Sequence, residues 1–347
     1  MDRAAEWAAP ARALSLTEEL MEQRDLGKTG LKVSALGYGC GAIGGLMVRG
    51  DPAEQTRAVR RALETGITYF DTAPSYGDGR SEENLGRALR ELDAWGRVVV
   101  GTKVALNPAD LNDPRAAVRR SIEQSLRRLG RDSVDLLQLH NHVVLLHKEG
   151  GRELGLEHVI GEVAEGLKQV RQDGHVGHIG FTGLGDAVAL REAALADDFE
   201  TVQCYFNAIN ASAGYTGASG GEEDFEGLID TAARAGLGVI AIRVFAAGAL
   251  SARPERHPIA GDPGRPLVPG AEYDKDVDRA RRLTSLAGEL GLESPLELSL
   301  RFALARSGVS TVMVGLSEFS HLESAIRWAE RGPLPEDAVQ RIVHAAH

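Results

Sequence analysis

The chain has 347 residues, enough for one large domain or two smaller ones, with 43% hydrophobic residues and a formal net charge of −11. That acidic balance, with no basic stripe, argues against nucleic acid and against an anionic membrane surface as partners. Two cysteines, Cys40 and Cys204, are too few for a disulfide framework, which favours a reducing compartment such as the cytoplasm.

Aromatic residues make up only 5% of the chain, so small aliphatics must build the core, as in a layered α/β protein. No apolar run reaches the ~18–20 residues that a membrane span needs. Residues 1–23 mix Ala with Asp, Glu and Arg and lack the apolar centre of a signal peptide. They read as an N-terminal extension, helical or frayed, ahead of a single domain over 24–347.

Arg24 to Val33 reads as a small hairpin turning at Thr29-Gly30. Short aliphatic and β-branched runs then predict strands at 34–40, 67–71, 97–103, 134–140, 176–182, 201–206, 237–242 and 309–314. Runs of helical period lie between and after them, at 53–65, 81–92, 115–129, 158–173, 186–196, 224–235, 275–291, 295–306 and 320–330. Gly66, Gly130, Gly174 and Gly236 stand where helix C-termini want a left-handed residue. Ser81, followed by Glu82 and Glu83, reads as an N-cap with acids in the first turn. Regular β-α alternation implies a parallel sheet, and eight units match a (β/α)8 barrel, with the hairpin placed to plug its floor. Two long connections, 207–223 and 246–274, leave strand ends and would overhang the mouth.

Gly39-Cys-Gly41-Ala-Ile-Gly44 is a formal dinucleotide fingerprint. The residues after it read as loop rather than helix, and the first strand-ending acid, Asp71, lies too far downstream. The other reading is that these glycines let the backbone above strand one approach a ligand closely.

Four residues at or just past strand ends form a stronger constellation: Asp71 and Tyr76 after strand two, Lys103 on strand three and His140 on strand four. Barrels place their chemistry at carboxyl ends of strands. A phenol can give or take a proton at a substrate oxygen, a nearby ammonium favours its phenolate and lowers its pKa, and a carboxylate holds the ammonium. An imidazole can orient the substrate. Taken singly, each residue has a plain structural explanation: a turn cap, a surface aromatic, a solvated lysine, a core histidine. Their joint placement does not. A zinc site from His140, His142 and His147 is the rival, and it lacks a further ligand at a neighbouring strand end; no metal is expected.

The pattern resembles the aldo-keto reductase superfamily from about Arg24 to Arg331. It is carried by Asp71-x4-Tyr76, Gly101-Thr-Lys103, His140, Leu26-Gly-Lys-Thr-Gly-Leu-Lys-Val-Ser34 and Arg80-Ser-Glu-Glu-Asn-Leu-Gly86. Within it the chain looks most like bacterial sugar and aldose dehydrogenase-type members. The resemblance implies a TIM barrel and an NAD(P)-dependent oxidoreductase that interconverts carbonyls and alcohols, with sugars or small polyols as substrates. A nucleotide-binding regulatory barrel is the alternative. Tyr76 would act as general acid and base, with His140 positioning the reacting oxygen. Asn141 departs from what the family would place after that histidine. The cofactor, NADP(H) or NAD(H), would have its carboxamide held at Thr182, Gly183 and Gln203, with Asn207 close by. Its ring would stack on Ile242 or Phe245, with Arg243 beside the pyrophosphate or the substrate. Gly315, Leu316, Ser317, Glu318 and His321 match the adenosine end. There Glu318 opposes a 2′-phosphate while the family habit favours NADP, so both dinucleotides stay open.

Overall fold

The computed structural model describes residues 21–263 and 267–346, so most of the expected extension lies outside the described residues. Eight parallel strands close into a barrel: β1 Leu36–Gly39, β2 Tyr69–Asp71, β3 Val99–Val104, β4 Val134–Leu139, β5 Val176–Gly183, β6 Thr201–Tyr205, β7 Gly238–Ile242 and β8 Val309–Gly315. Sequence neighbours pair throughout, and β8 closes on β1, with Gly315 opposite Gly39.

The helices around this barrel are α1 Pro52–Glu64, α2 Arg80–Glu91, α3 Pro114–Leu129, α4 Ala164–Gln172, α5 Ala187–Leu195 and α6 Leu228–Arg234. After β7 come α7 Tyr273–Glu289 and α8 Pro295–Ala305, and after β8 come α9 Phe319–Glu330 and α10 Glu336–Ala345. Local chemistry starts and stops them. Asp51 accepts from the backbone N–H of Ala53 and Glu54 ahead of Pro52, and α1 then buries Ala58, Val59, Ala62 and Leu63. The expected stop residues Gly66, Gly130, Gly174 and Gly236 all have φ between 70° and 81°.

The apolar residues fall into two sets. The larger fills the shell between barrel and helices. The smaller lies inside the barrel and consists of Leu26, Val33, Tyr69, Val99, Leu136, Ile240 and Ile242. Leu26 and Val33 come from the hairpin that pairs Gln23–Asp25 with Lys32–Ser34, so the plug is real. Arg24 donates to Val309 O at 3.1 Å and Leu304 O at 3.2 Å, and Lys28 N donates to Gly236 O at 2.7 Å, which ties the plug across the floor.

Several expectations change. The predicted first strand, 34–40, divides at Ala35, because its first residue pairs within the hairpin and Leu36–Gly39 pairs within the barrel. The predicted helix 158–173 contains a π-turn at Val159–Val163, where Gly161 leaves helical dihedrals. Ser81 is not a cap: α2 follows Gly79, and the buried Ser81 hydroxyl donates to Cys40 O at 2.9 Å. The stretch after Gly44, expected as loop, makes one helical turn at Leu46–Arg49, too short for a phosphate-binding helix. Gly44 itself lies against the backbone of Leu316, where an added Cβ would sit 2.5 Å from its N and O. That glycine run therefore lets two loops touch.

The connection 207–223 does not stand free over the mouth. Asn207 and Asn210 are fully buried, Ala208 N donates to Ser299 on α8, and Gly220 N donates to Ala346 O behind α10. The connection after β7 does cross the mouth. Arg49 donates to Ile259 O at 2.7 Å, Gly261 N to Ile43 O at 2.9 Å, and Arg256 to Ala247 O at 2.6 Å and Gly261 O at 2.7 Å. The first two bonds strap it to the loop after β1, and the Arg256 bonds hold the connection to itself.

Candidate active site

Period-two alternation turns Asp71, Lys103 and His140 toward the barrel axis at successive strands. Asp71 ends β2, Lys103 lies on β3 and His140 follows β4, its N–H donating to Val104 O at 2.7 Å. Tyr76 reaches the same point through a turn in which its N–H donates to Ala73 O. Gly77 next to it has φ 65°, and a Cβ there would fall 2.3 Å from Val48, so only glycine lets this turn lie against the helical turn at Leu46–Arg49.

The four side chains meet. Lys103 Nζ forms a buried ion pair with Asp71 Oδ1 and donates to Thr72 O at 2.9 Å. It lies 4.9 Å from the Tyr76 ring centroid. The Tyr76 and His140 rings stand edge to face, 5.9 Å apart. Asp71 and Lys103 are each 1% exposed, whereas Tyr76 is only half-buried and is open to a substrate.

The electrostatics follow from burial and these contacts. Burial alone would strip the proton from Lys103, but the Asp71 and Tyr76 charges more than offset it, and the pKa rises. The ammonium is held. Burial pushes the Tyr76 phenol above its ordinary value, with Lys103 pulling it down and Asp71 adding to the rise. The sequence argument weighed only the cation, and burial outweighs it. His140 is driven down to about 3, first by burial and then by Lys103 and His142. It is a neutral imidazole at pH 7, able to donate one N–H without competing as an acid.

The rival metal set does not assemble. His147 Nδ1 is hydrogen-bonded to Glu153 O at 2.9 Å, and its ring packs 5.3 Å from His158. No group of three or more His, Cys, Asp or Glu that could hold a metal ion occurs among the described residues. Asn141 is committed to structure: its amide exchanges two 2.8 Å bonds with the backbone of Leu106 and donates to Arg152 O.

Around the tetrad lie the residues expected for the dinucleotide. Thr182 is buried, and its hydroxyl has no partner. Such an orphan suits a carboxamide that supplies the missing bond. Gly183 packs against Gln203 O and Leu228. Gln203 is turned onto Asp71 Oδ2, donating at 2.7 Å. Of the two stacking candidates, Ile242 lies in the barrel interior, while Phe245 meets Trp328 edge-on at 6.4 Å. Arg243 follows β7 with φ 58°. Its guanidinium makes no hydrogen bond or ion pair among the described residues, and it lines a cavity of about 130 Å³ with Tyr205, Ala246, Ala247, Tyr273 and Asp276. Burial lowers its pKa, opposed by the charges of Tyr205, Tyr76 and Asp276.

At the expected adenosine end, Gly315 closes β8 and the buried Leu316 accepts from Leu46 N. Ser317 N meets His321 Nδ1 at 3.3 Å. Glu318 is the residue before α9; it accepts from Ser320 Oγ and pairs with His257 at 3.2 Å and His321 at 3.7 Å. The sequence reading missed Tyr69 and Gln138, which also reach Asp71, and Tyr205 and Asp276 of the cavity. Tyr69 and Gln138 were legible in principle, each lying two residues before a tetrad member on the same strand face.

Comparison with known proteins agrees with this geometry. The chain is 29% identical over 314 residues to L-galactose dehydrogenase of Arabidopsis thaliana, covering 88% of this chain and 87% of that protein. It is 27% identical over 327 residues to L-glyceraldehyde 3-phosphate reductase of Escherichia coli K12, at 88% and 87% coverage. The solved structure of aldo-keto reductase AKR11C1 from Bacillus halodurans, in its holo form, superposes with a TM-score of 0.70 at 25% identity, over 94% of this chain and 97% of that one. The Aldo/keto reductase family model matches residues 35–347, and the chain belongs to that family, as a nicotinamide-dependent oxidoreductase of carbonyls and alcohols.

Proposed function

We propose that this protein, as one barrel domain over 24–347, interconverts the carbonyl and alcohol groups of sugars or other small polyols, with Tyr76 as general acid and base. The carrying observation is the contact of a partly buried phenol with a buried, carboxylate-held ammonium and a neutral imidazole at one mouth. Relatives that act on L-galactose and on L-glyceraldehyde 3-phosphate support the sugar class. Two buried free thiols suit a reducing compartment such as the cytoplasm.

A bound nicotinamide supplies hydride to the carbonyl carbon or accepts it from the alcohol carbon. Thr182 and Gly183 would hold its carboxamide, Ile242 its ring and Arg243 its pyrophosphate. Gly315 to Glu318, with His321, would hold the adenosine end. His140 donates its N–H to the substrate oxygen and fixes it beside the phenol. Tyr76 delivers its proton to that oxygen in reduction and removes it in oxidation. Lys103 stabilises the phenolate that forms, and Asp71 keeps Lys103 charged and in place.

The test is a panel of aldoses, ketones and aryl aldehydes with all four nicotinamide forms. Tyr76→Phe should lose about 10²–10⁴ in rate while nucleotide affinity is nearly intact. Activity above a tenth of wild type would remove Tyr76 from its role. An intact acid–base set argues for turnover rather than for a sensing barrel.

A further inference from the structure

Asp71 carries more contacts than its partnership with Lys103 requires. Oδ1 faces the ammonium. Oδ2 accepts three neutral donors: Gln203 Nε2 at 2.7 Å, Gln138 Nε2 at 3.3 Å and the Tyr69 hydroxyl at 3.3 Å. They converge from three strands, β6, β4 and β2, on one oxygen deep in the barrel. Tyr69 and Gln138 are fully buried, and neither touches the mouth.

Such a cage has a definite physical effect. A buried ion pair can collapse to a neutral pair by passing its proton from lysine to carboxylate, because burial favours the uncharged forms. At Asp71 burial pushes the carboxyl up, opposed by Lys103 and by the hydrogen bonds from Tyr69 and Gln203. Each donor stabilises the charged carboxylate more than the neutral acid. The Tyr69 phenol is itself pushed well above its ordinary value, by burial and then by Asp71, so it keeps its proton and stays a donor. We propose that Tyr69 and Gln138 are positioning residues that hold Asp71 ionised and so keep the full Lys103 charge turned on Tyr76.

Other titratable groups surround the same point: Cys40 above β1, His140 after β4, Tyr205 at the end of β6 and Arg243 after β7. Cys40 is raised by burial and is a neutral thiol. His140 is neutral, Tyr205 is raised by burial, and Arg243 keeps its charge. These four hold their charge states around neutral pH. The carboxyls of Asp276 beside Arg243 and of Glu222 next to it are raised by burial, Glu222 to about 7. That titration is common to wild type and variants, so the difference between their profiles reads the tetrad.

The inference rests on the acid–base reading of Tyr76, and the experiment separates the two. Alcohol oxidation speeds up as Tyr76 loses its proton. Tyr69→Phe keeps the ring and removes the hydroxyl donor, and Gln138→Met keeps the volume and removes the amide. Each should move the rise of kcat toward higher pH by about one unit and lower kcat at pH 7 about tenfold, with KM for the alcohol and the nucleotide Kd unchanged. A lowered melting temperature with an unmoved profile in both variants would mean packing only and would overturn the proposal. Tyr76→Phe is measured beside them. If it stays active, the acid–base reading fails and this inference fails with it. If it is inactive and the other profiles are unmoved, the positioning role alone is overturned.

Discussion

His140 shows how burial sets a protonation state that sequence could not supply. Its pKa lies at about 3, against 6.5 for an ordinary histidine. The unfolded chain binds a proton below pH 6.5 and the folded chain does not, so this residue's stability contribution is whole above 6.5 and is lost as pH falls toward 3. At pH 5 the deficit is ~2 kcal/mol relative to pH 8, from 1.5 units at ~1.4 kcal/mol each. His140→Asn should therefore lose about that much less stability than wild type between pH 8 and pH 5, measured by urea unfolding. Equal losses would show that the imidazole charges readily in place. The identities of Asp71, Tyr76, Lys103 and His140 were legible because strand period and strand ends place them. The net rise of the Tyr76 pKa was not, since it depends on how deeply the phenol sits. Nor was the turn of Gln203 onto Asp71, which needs the lateral register of strands far apart in sequence.

At the scale of elements, the strap after β7 meets the start of α9 where the proposed adenosine end lies. Glu318 is held there by Ser320, His257 and His321, and its carboxyl lies below the usual range, first through the Ser320 hydroxyl. A fixed, charged carboxylate near a 2′-phosphate repels it. Arg57 on α1 stands 3.8 Å over the Phe319 ring next door, so an added cation would join an existing one. Glu318→Arg should raise the NADP/NAD ratio of kcat/KM several-fold. An unchanged ratio would mean that the acid serves only the helix start and the strap. Most elements were legible from period and glycine stops. Helix α10 was passed over because the family pattern ends near Arg331, although Ala338, Val339, Ile342 and Val343 repeat at helical spacing. The inward fold of 207–223 was illegible because it rests on side-chain bonds to its own backbone, as in Asn207 Oδ1 accepting from Ile209 and Asn210.

For the whole molecule, the barrel interior has two storeys. The lower is apolar, sealed by Leu26 and Val33 of the hairpin, and the upper holds the buried charges. Leu26→Ala should cost about 2–5 kcal/mol in stability, read by chemical denaturation, and leave KM unchanged. A variant with wild-type stability would show that the floor is dispensable. The plug also orders events in time. Its seat is made of Gly236, Leu237, Ile240 and Val309, and the Arg24 to Val309 bond closes 285 residues of chain. The hairpin thus has no place to rest until β8, 285 residues further along at Val309, has been made. The nascent hairpin waits, and its docking reports that the ring has closed.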